Sequence, residues 1–214
     1  MSRSHPDPPP RPDAEGPLRL FIALPATPEV VRRAQETISR LRGAGDVRWV
    51  APDRLHLTLK FLGDTPAGKL PEIIAGIAAK ANTFSRFMVE LGGAGAFPNL
   101  RRPQTLWLGF AGRGAETLTA LAAAVDEAAH AAGWPREKRP FQPHLTLGRV
   151  RSSRELRELA ERLRREGEAA TASVEWPVEE LHLVRSVLRP QGPEYTVLER
   201  FPLREEESPA PRFE

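Results

Sequence analysis

The sequence predicts an α+β fold of mostly antiparallel strands, built as two pseudo-symmetric lobes with helices outside and a cleft between them. Three observations lead there. The phrase His-Leu-Thr-Leu occurs twice, at residues 56–59 and 144–147. Each copy stands in the same local plan, an apolar strand and a helix before it and a helix and strand after it. The chain then closes with two strand-like stretches joined by a loop rich in turn residues.

The elements follow in order. Residues 1–17 hold six of the 22 prolines and no hydrophobic stretch, so they read as a solvated, disordered tail and not as a secretory signal. "LRLFIAL" (18–24) is an apolar strand. Thr27, Pro28 and Glu29 then open a helix to about Leu41, with threonine as N-cap and proline in the first turn. "RWV" (48–50) precedes the strand "LHLTLKFLG" (55–63). A helix near 67–80 and a strand near 85–91 complete the first copy of the plan. "GGAGAF" (92–97) lacks the lysine and spacing of a phosphate-binding loop and reads as a turn. The second copy has "TLWLGF" (105–110), an alanine-rich helix from about Ala115 to Ala132 stopped by Gly133-Trp134-Pro135, and the strand carrying His144. A helix near 153–166 and a strand near 172–176 follow. Arginines and glutamates four apart in the former mark a salt-bridged exposed face. "ELHLVRSVL" (180–188) and "EYTVLERFPL" (194–203) form a hairpin across Arg189–Pro193. The folded domain is expected to span 18–203, with a second disordered tail over 204–214.

Composition narrows the function. The hydrophobic content of 40% supports a core, and no apolar run approaches a membrane span. With no cysteine there is no disulfide scaffold, thiolate nucleophile or cysteine zinc site, in keeping with a cytoplasmic protein. The formal charge is only +3, yet the sequence pI is about 9.8, which suits an anionic partner such as RNA. Arg101-Arg102 and Lys138-Arg139 are loop clusters with few acidic neighbours.

Strand alternation sets His56, Thr58 and Lys60 on one face, with Leu55, Leu57, Leu59 and Phe61 on the other. His144 and Thr146 share a face in the second copy. If the lobes face each other, two imidazoles and two threonine hydroxyls meet across the cleft. One histidine per motif, with threonine as neighbour, does not make the usual zinc site, so no metal or cofactor is expected. Paired imidazoles suit concerted acid–base work near neutral pH, and hydroxyls suit holding phosphate oxygens. His182, His130 and His5 lack the threonine and are assigned no chemistry. The four tryptophans are expected to pack in the core, and Tyr195 is undecided.

The paired motifs, with "RLFIAL", "RWV", "FPN", "LWLGF", "FQPHLTLGRV" and "VRSVLRPQGPEYTVL" around them, resemble the 2H phosphoesterase superfamily. Within it the chain is similar to the RNA 2′,3′-cyclic phosphodiesterases, also called bacterial and archaeal 2′-5′ RNA ligases. The resemblance covers about residues 18–203. It implies metal-independent hydrolysis of an RNA 2′,3′-cyclic phosphate to a 2′-phosphomonoester, with minor reversible 2′-5′ ligation. It also implies His56 as proton donor, His144 as proton acceptor, and Thr58 and Thr146 as phosphate-holding hydroxyls. Arg149 and Phe21 occupy positions that contact the terminal nucleotide in similar proteins. Strand alternation leaves two readings for Lys60, a further phosphate contact on the histidine face or an ordinary exposed strand lysine. Arg149 points away from His144 in an ideal strand, so its role needs a bend near Gly148. Two other activities fit the same cleft: a cyclic phosphodiesterase for a small nucleotide such as an ADP-ribose cyclic phosphate, or a non-catalytic RNA-end binder. The expected partner is an RNA with a 2′,3′-cyclic phosphate end, or a small cyclic nucleotide, with no protein partner, no membrane and a monomeric protein.

Overall fold

A computed structural model describes residues 16–152, 154, 156–168 and 174–205. The two expected tails lie mostly outside these residues. Nine strands and four helices are formed among them: β1 (Leu18–Pro25), α1 (Pro28–Leu41), β2 (Val47–Trp49), β3 (His56–Thr65), α2 (Leu70–Ala81), β4 (Phe87–Phe97), β5 (Thr105–Ala111), α3 (Ala115–Ala131), β6 (His144–Val150), α4 (Leu156–Glu168), β7 (Val174–Val178), β8 (Glu180–Arg189) and β9 (Gly192–Pro202).

Local signals explain the elements. Thr27 caps α1, its Oγ1 accepting the Val30 amide at 3.4 Å, and Pro28 takes the first turn, where its missing N–H costs nothing. Val30, Ala34, Ile38 and Leu41 then recur at helical spacing and are buried. The exposed face of α4 carries ion pairs Arg157–Glu161, Glu158–Arg162 and Arg164–Glu168. No helix among the described residues is long and apolar enough to cross a membrane.

The strands form one curled sheet in the order β7-β4-β5-β6-β3-β1-β8-β9, with β2 added on β6 and every strand pair antiparallel. A pseudo-two-fold between β6 and β3 exchanges β5 with β1, β4 with β8 and β7 with β9. The two lobes are therefore real, but neither is a continuous piece of chain. The first repeat sends its last strand, β4, into the lobe of the second, and β8 and β9 return from the C-terminus to complete the lobe of β1 and β3. The helices interleave as well. α2 packs on α3 over β8 and β9, while α1 packs on α4 and β7. Each lobe thus buries its leucines under one helix from each repeat, which ties the halves into one core.

Three expectations are corrected. Residues 92–97 are not a turn: β4 continues through them, bulged after Leu91, and Ala94–Phe97 pair with β5. The glycine there serves side-chain packing, since a Cβ on Gly95 would lie 2.4 Å from the Trp107 ring. The hairpin turn is tighter than Arg189–Pro193, because β8 and β9 pair as far as Arg189↔Gly192. Order also passes residue 203. Leu203 is buried and Arg204 bridges to Ser85, its amide donating to the Phe84 carbonyl at 2.9 Å.

Candidate active site

The half-sheets of the two lobes join where β3 pairs with β6, in the register Leu57↔Leu145, the residue that follows the histidine in each motif. Both leucines are fully buried, so the opposite face of each strand looks out into the cleft. The antiparallel register around that pair sets His56 across from Thr146 and His144 across from Thr58. Two histidines and two hydroxyls thereby occupy one patch of sheet. Among the described residues, neither threonine hydroxyl has a hydrogen-bond partner within the protein.

Both rings are held the same way. His56 Nδ1 lies 2.7 Å from the Arg54 carbonyl and His144 Nδ1 lies 2.8 Å from the Gln142 carbonyl. A carbonyl oxygen only accepts, so Nδ1 carries the hydrogen in each ring and the neutral imidazole presents a lone pair at Nε2. Aromatic rings brace the imidazoles. Phe21 and Tyr195 stand 4.9 and 5.3 Å from His56, centroid to centroid, and Phe97 meets His144 edge-on at 4.9 Å.

Burial holds the pKa of His56 below its ordinary value; the Arg54 carbonyl opposes this, and charge on His144 adds to it. Burial likewise lowers His144, against the Gln142 carbonyl, and the nearby Arg149 guanidinium lowers it further. A histidine with a depressed folded-state pKa takes up a proton in the unfolded chain first, so folding stability falls as pH drops below about 6.5. The thermal midpoint should decline between that value and the carboxylate range. The double substitution His56→Asn/His144→Asn, which keeps an N–H for each carbonyl, should flatten the decline. An unchanged acid slope in the double variant would mean that other groups cause it.

A β-bulge follows each motif, and it decides which later residues reach the site. In β3 the register against β1 slips past Leu59, and in β6 the register against β5 slips past Leu147. The extra residue reverses the face of the residues that follow it, in β3 as far as a second slip at Leu62. Arg149 is turned to the side of His144, pairing with Thr105 and bonding its Oγ1 at 3.3 Å. The bend its role needed is present at Leu147-Gly148. Lys60 is turned the other way. It is 5% exposed, opposite Ile22, with Nζ 2.6 Å from Asp126 Oδ1 and 2.8 Å from the Pro135 carbonyl. It therefore does not share the histidine face, and its ammonium is spent on a buried ion pair.

The same bulge moves Phe61 from its expected core face to the cleft, where it is 64% exposed and 6.1 Å from Phe21. Phe21, expected to contact nucleotide, is only 4% exposed and enclosed by His56, Phe61 and Tyr195. The open aromatic surface beside His56 thus belongs to Phe61 and Tyr195. Glycine is the one sequence signal near these bulges: Gly148 adjoins the one in β6, and Gly63 lies beyond the one in β3. Of the remaining histidines, His182 bonds Glu180 at 2.6 Å beside Arg200, and His130 contacts the Trp134 carbonyl. Trp176 and Trp134 pack as core residues, the latter donating to the Leu62 carbonyl. No group of three or more acidic or histidine side chains suited to a metal ion occurs among the described residues.

The model of the 2′-5′ RNA ligase superfamily fits residues 30–189, and the chain belongs to that family, within the 2H phosphoesterase class its two motifs indicated. It is 38% identical to the RNA 2′,3′-cyclic phosphodiesterase of Thermus thermophilus, over 88% of this chain and 92% of that protein. The protein of the same name from Archaeoglobus fulgidus is 34% identical over 86% of this chain and 99% of its own length. A crystal structure of a Thermus thermophilus protein superposes with a TM-score of 0.72 at 34% identity, covering 88% of this chain and all of the other. E. coli LigT in complex with 3′-AMP gives a TM-score of 0.66 at 26% identity, covering 87% and 98%.

Proposed function

We propose that the protein hydrolyses 2′,3′-cyclic phosphate ends of RNA to 2′-phosphomonoesters, with His144 as general base and His56 as general acid. The observation that carries this reading is the Leu57↔Leu145 pair, which brings two identically tethered imidazoles and two unengaged hydroxyls onto one face. The names of the relatives support the substrate class.

The neutral Nε2 of His144 accepts a proton from water as its oxygen attacks phosphorus. The bond from phosphorus to the 3′-oxygen breaks in line, and Nε2–H of a protonated His56 supplies the proton that the 3′-oxygen needs. Thr58, Thr146 and Arg149 donate to the non-bridging oxygens, where charge builds. The base role suits His144 because the adjacent guanidinium favours its uncharged form. The anionic substrate raises both histidines, which restores the protonated acid in the complex. A 5′-hydroxyl standing where the water stands would expel the same oxygen and create a 2′-5′ linkage, a minor reaction beside hydrolysis in water.

Product identity tests this reading directly. Unguided hydrolysis of a 2′,3′-cyclic phosphate opens either bond, whereas an acid fixed on one side protonates only one oxygen. Digestion of a cyclic-ended oligoribonucleotide, read by phosphorus NMR against both monophosphates, should give the 2′-phosphate alone. A 3′-phosphate product would exchange the roles of the two histidines, and an equal mixture would remove the fixed acid from the mechanism.

A further inference from the structure

Beyond the dyad, on the His56 side, two arginines, Arg48 and Arg54, gather at the β8–β9 turn, and Arg149 stands between them and the dyad as the cross-strand neighbour of Arg48. β2 comes from the first repeat but pairs with β6 of the opposite lobe, and this sets Arg48 directly across from Arg149. Arg54 precedes β3 and sends its guanidinium to the same place. A Cβ built on Gly192 would lie 2.3 Å from Arg54 Nη1 and 3.0 Å from Arg48 Nη2. Gly192 has φ +125°, and any side chain there would occupy the space these two guanidinium groups fill. The turn is thus shaped to let two like charges approach each other.

Two cations of the same hairpin have a carboxylate: Arg189 bonds Glu194 and Arg200 bonds Glu180. Among the described residues, Arg48, Arg54 and Arg149 have none. Among the described residues Arg48 and Arg54 have no side-chain hydrogen bond or ion pair, and Arg149 bonds only the Thr105 hydroxyl. Like charges held close without a counter-charge repel each other, and an anion between them turns that repulsion into attraction. The arrangement also touches the dyad. Arg54 and Arg149 both act electrostatically on Tyr195, whose ring lies 5.3 Å from His56. The Arg54 carbonyl holds the His56 ring itself.

We infer that Arg48 and Arg54, with Arg149 leading from the dyad, form a track for the internucleotide phosphates of single-stranded RNA 5′ to the cyclic end. The inference rests on the proposed hydrolysis for which end of the RNA lies at the dyad. It makes the enzyme select chains over small cyclic nucleotides: a mononucleotide reaches His56 and His144 but leaves the paired guanidinium groups unfilled. It also predicts a salt dependence that small cyclic substrates lack, with a slope of about 0.7 in log affinity against log salt for each phosphate bound.

Two measurements test it. The first is kcat/KM for a cyclic-ended pentaribonucleotide relative to 2′,3′-cyclic AMP. The second is the Kd of a 5′-labelled pentaribonucleotide bearing a 2′-phosphate, by fluorescence anisotropy at 50–200 mM KCl. Wild type should favour the pentanucleotide by about tenfold or more, with Kd weakening about sevenfold across that salt range for two phosphates held. Arg48→Gln should lower the substrate ratio several-fold and the salt slope by about 0.7, and Arg48→Gln/Arg54→Gln should bring the ratio near unity. A double variant that keeps the wild-type ratio, Kd and salt slope would overturn the track, as would a wild type blind to chain length. If wild type opened no cyclic end, but the double variant lost oligonucleotide binding, the track would stand and the proposed reaction would fall.

Discussion

Replacing either histidine by alanine should lower kcat by about 10²–10⁴, the usual worth of a positioned general acid or base. The two losses should differ in kind. His56→Ala removes the proton donor, so a cyclic substrate with sulfur in place of the 3′-oxygen should recover much of the rate, because a thiolate leaves without a proton. His144→Ala removes the base and should gain little from the same substrate. Stability separates chemistry from packing. The His56 ring packs against Phe21 and Tyr195, so its loss should destabilise modestly, whereas His56→Asn keeps an N–H for the Arg54 carbonyl and should be nearly as inactive. Near-normal turnover by either alanine variant, or equal rescue of both, would refute the assigned roles.

Lys60→Met should have the largest effect on stability and almost none on catalysis. Lys60 is 4% exposed at its side chain and its partner Asp126 18%, so methionine would leave a largely buried carboxylate without its main cation. The expected cost is about 3 kcal/mol, at the low end for breaking a buried pair. It is at the low end because Asp126 keeps the Glu137 amide at 3.0 Å and Arg136 at 3.9 Å. For a chain of this size that corresponds to a fall of roughly 6–12 °C in thermal midpoint. At 25 °C, kcat/KM should stay within about twofold of wild type, since the ammonium faces away from the cleft. The opposite outcome, a raised KM with an unchanged midpoint, would return Lys60 to the phosphate site.

Much of this architecture can be read in the linear sequence because it depends on neighbours in the chain. The α1 cap is written in Thr27 and Pro28, and the alternation of leucine with histidine and threonine is written in each motif. The repetition of the whole plan implies two lobes and sets two histidines and two threonines at the cleft. What escaped was anything that depends on partner strands. A bulge is a mismatch between two strands, invisible in either one alone; the one in β3 exchanges Lys60 for Phe61 at the cleft, and the one in β6 brings Arg149 in. Residues 92–97 read as a turn because the reason for their glycines, the Trp107 ring, is on another strand. The chain crossing that puts β2 on β6 and β4 beside β5 is set by how two curled half-sheets share helices, and no local pattern encodes it. The sequence by itself determined the chemistry-bearing groups, two imidazoles and two hydroxyls, because side-chain identity and strand alternation are local. The tertiary structure alone decided which cations and aromatic rings surround them, because only strand pairing and burial bring residues so far apart in the chain to the same face.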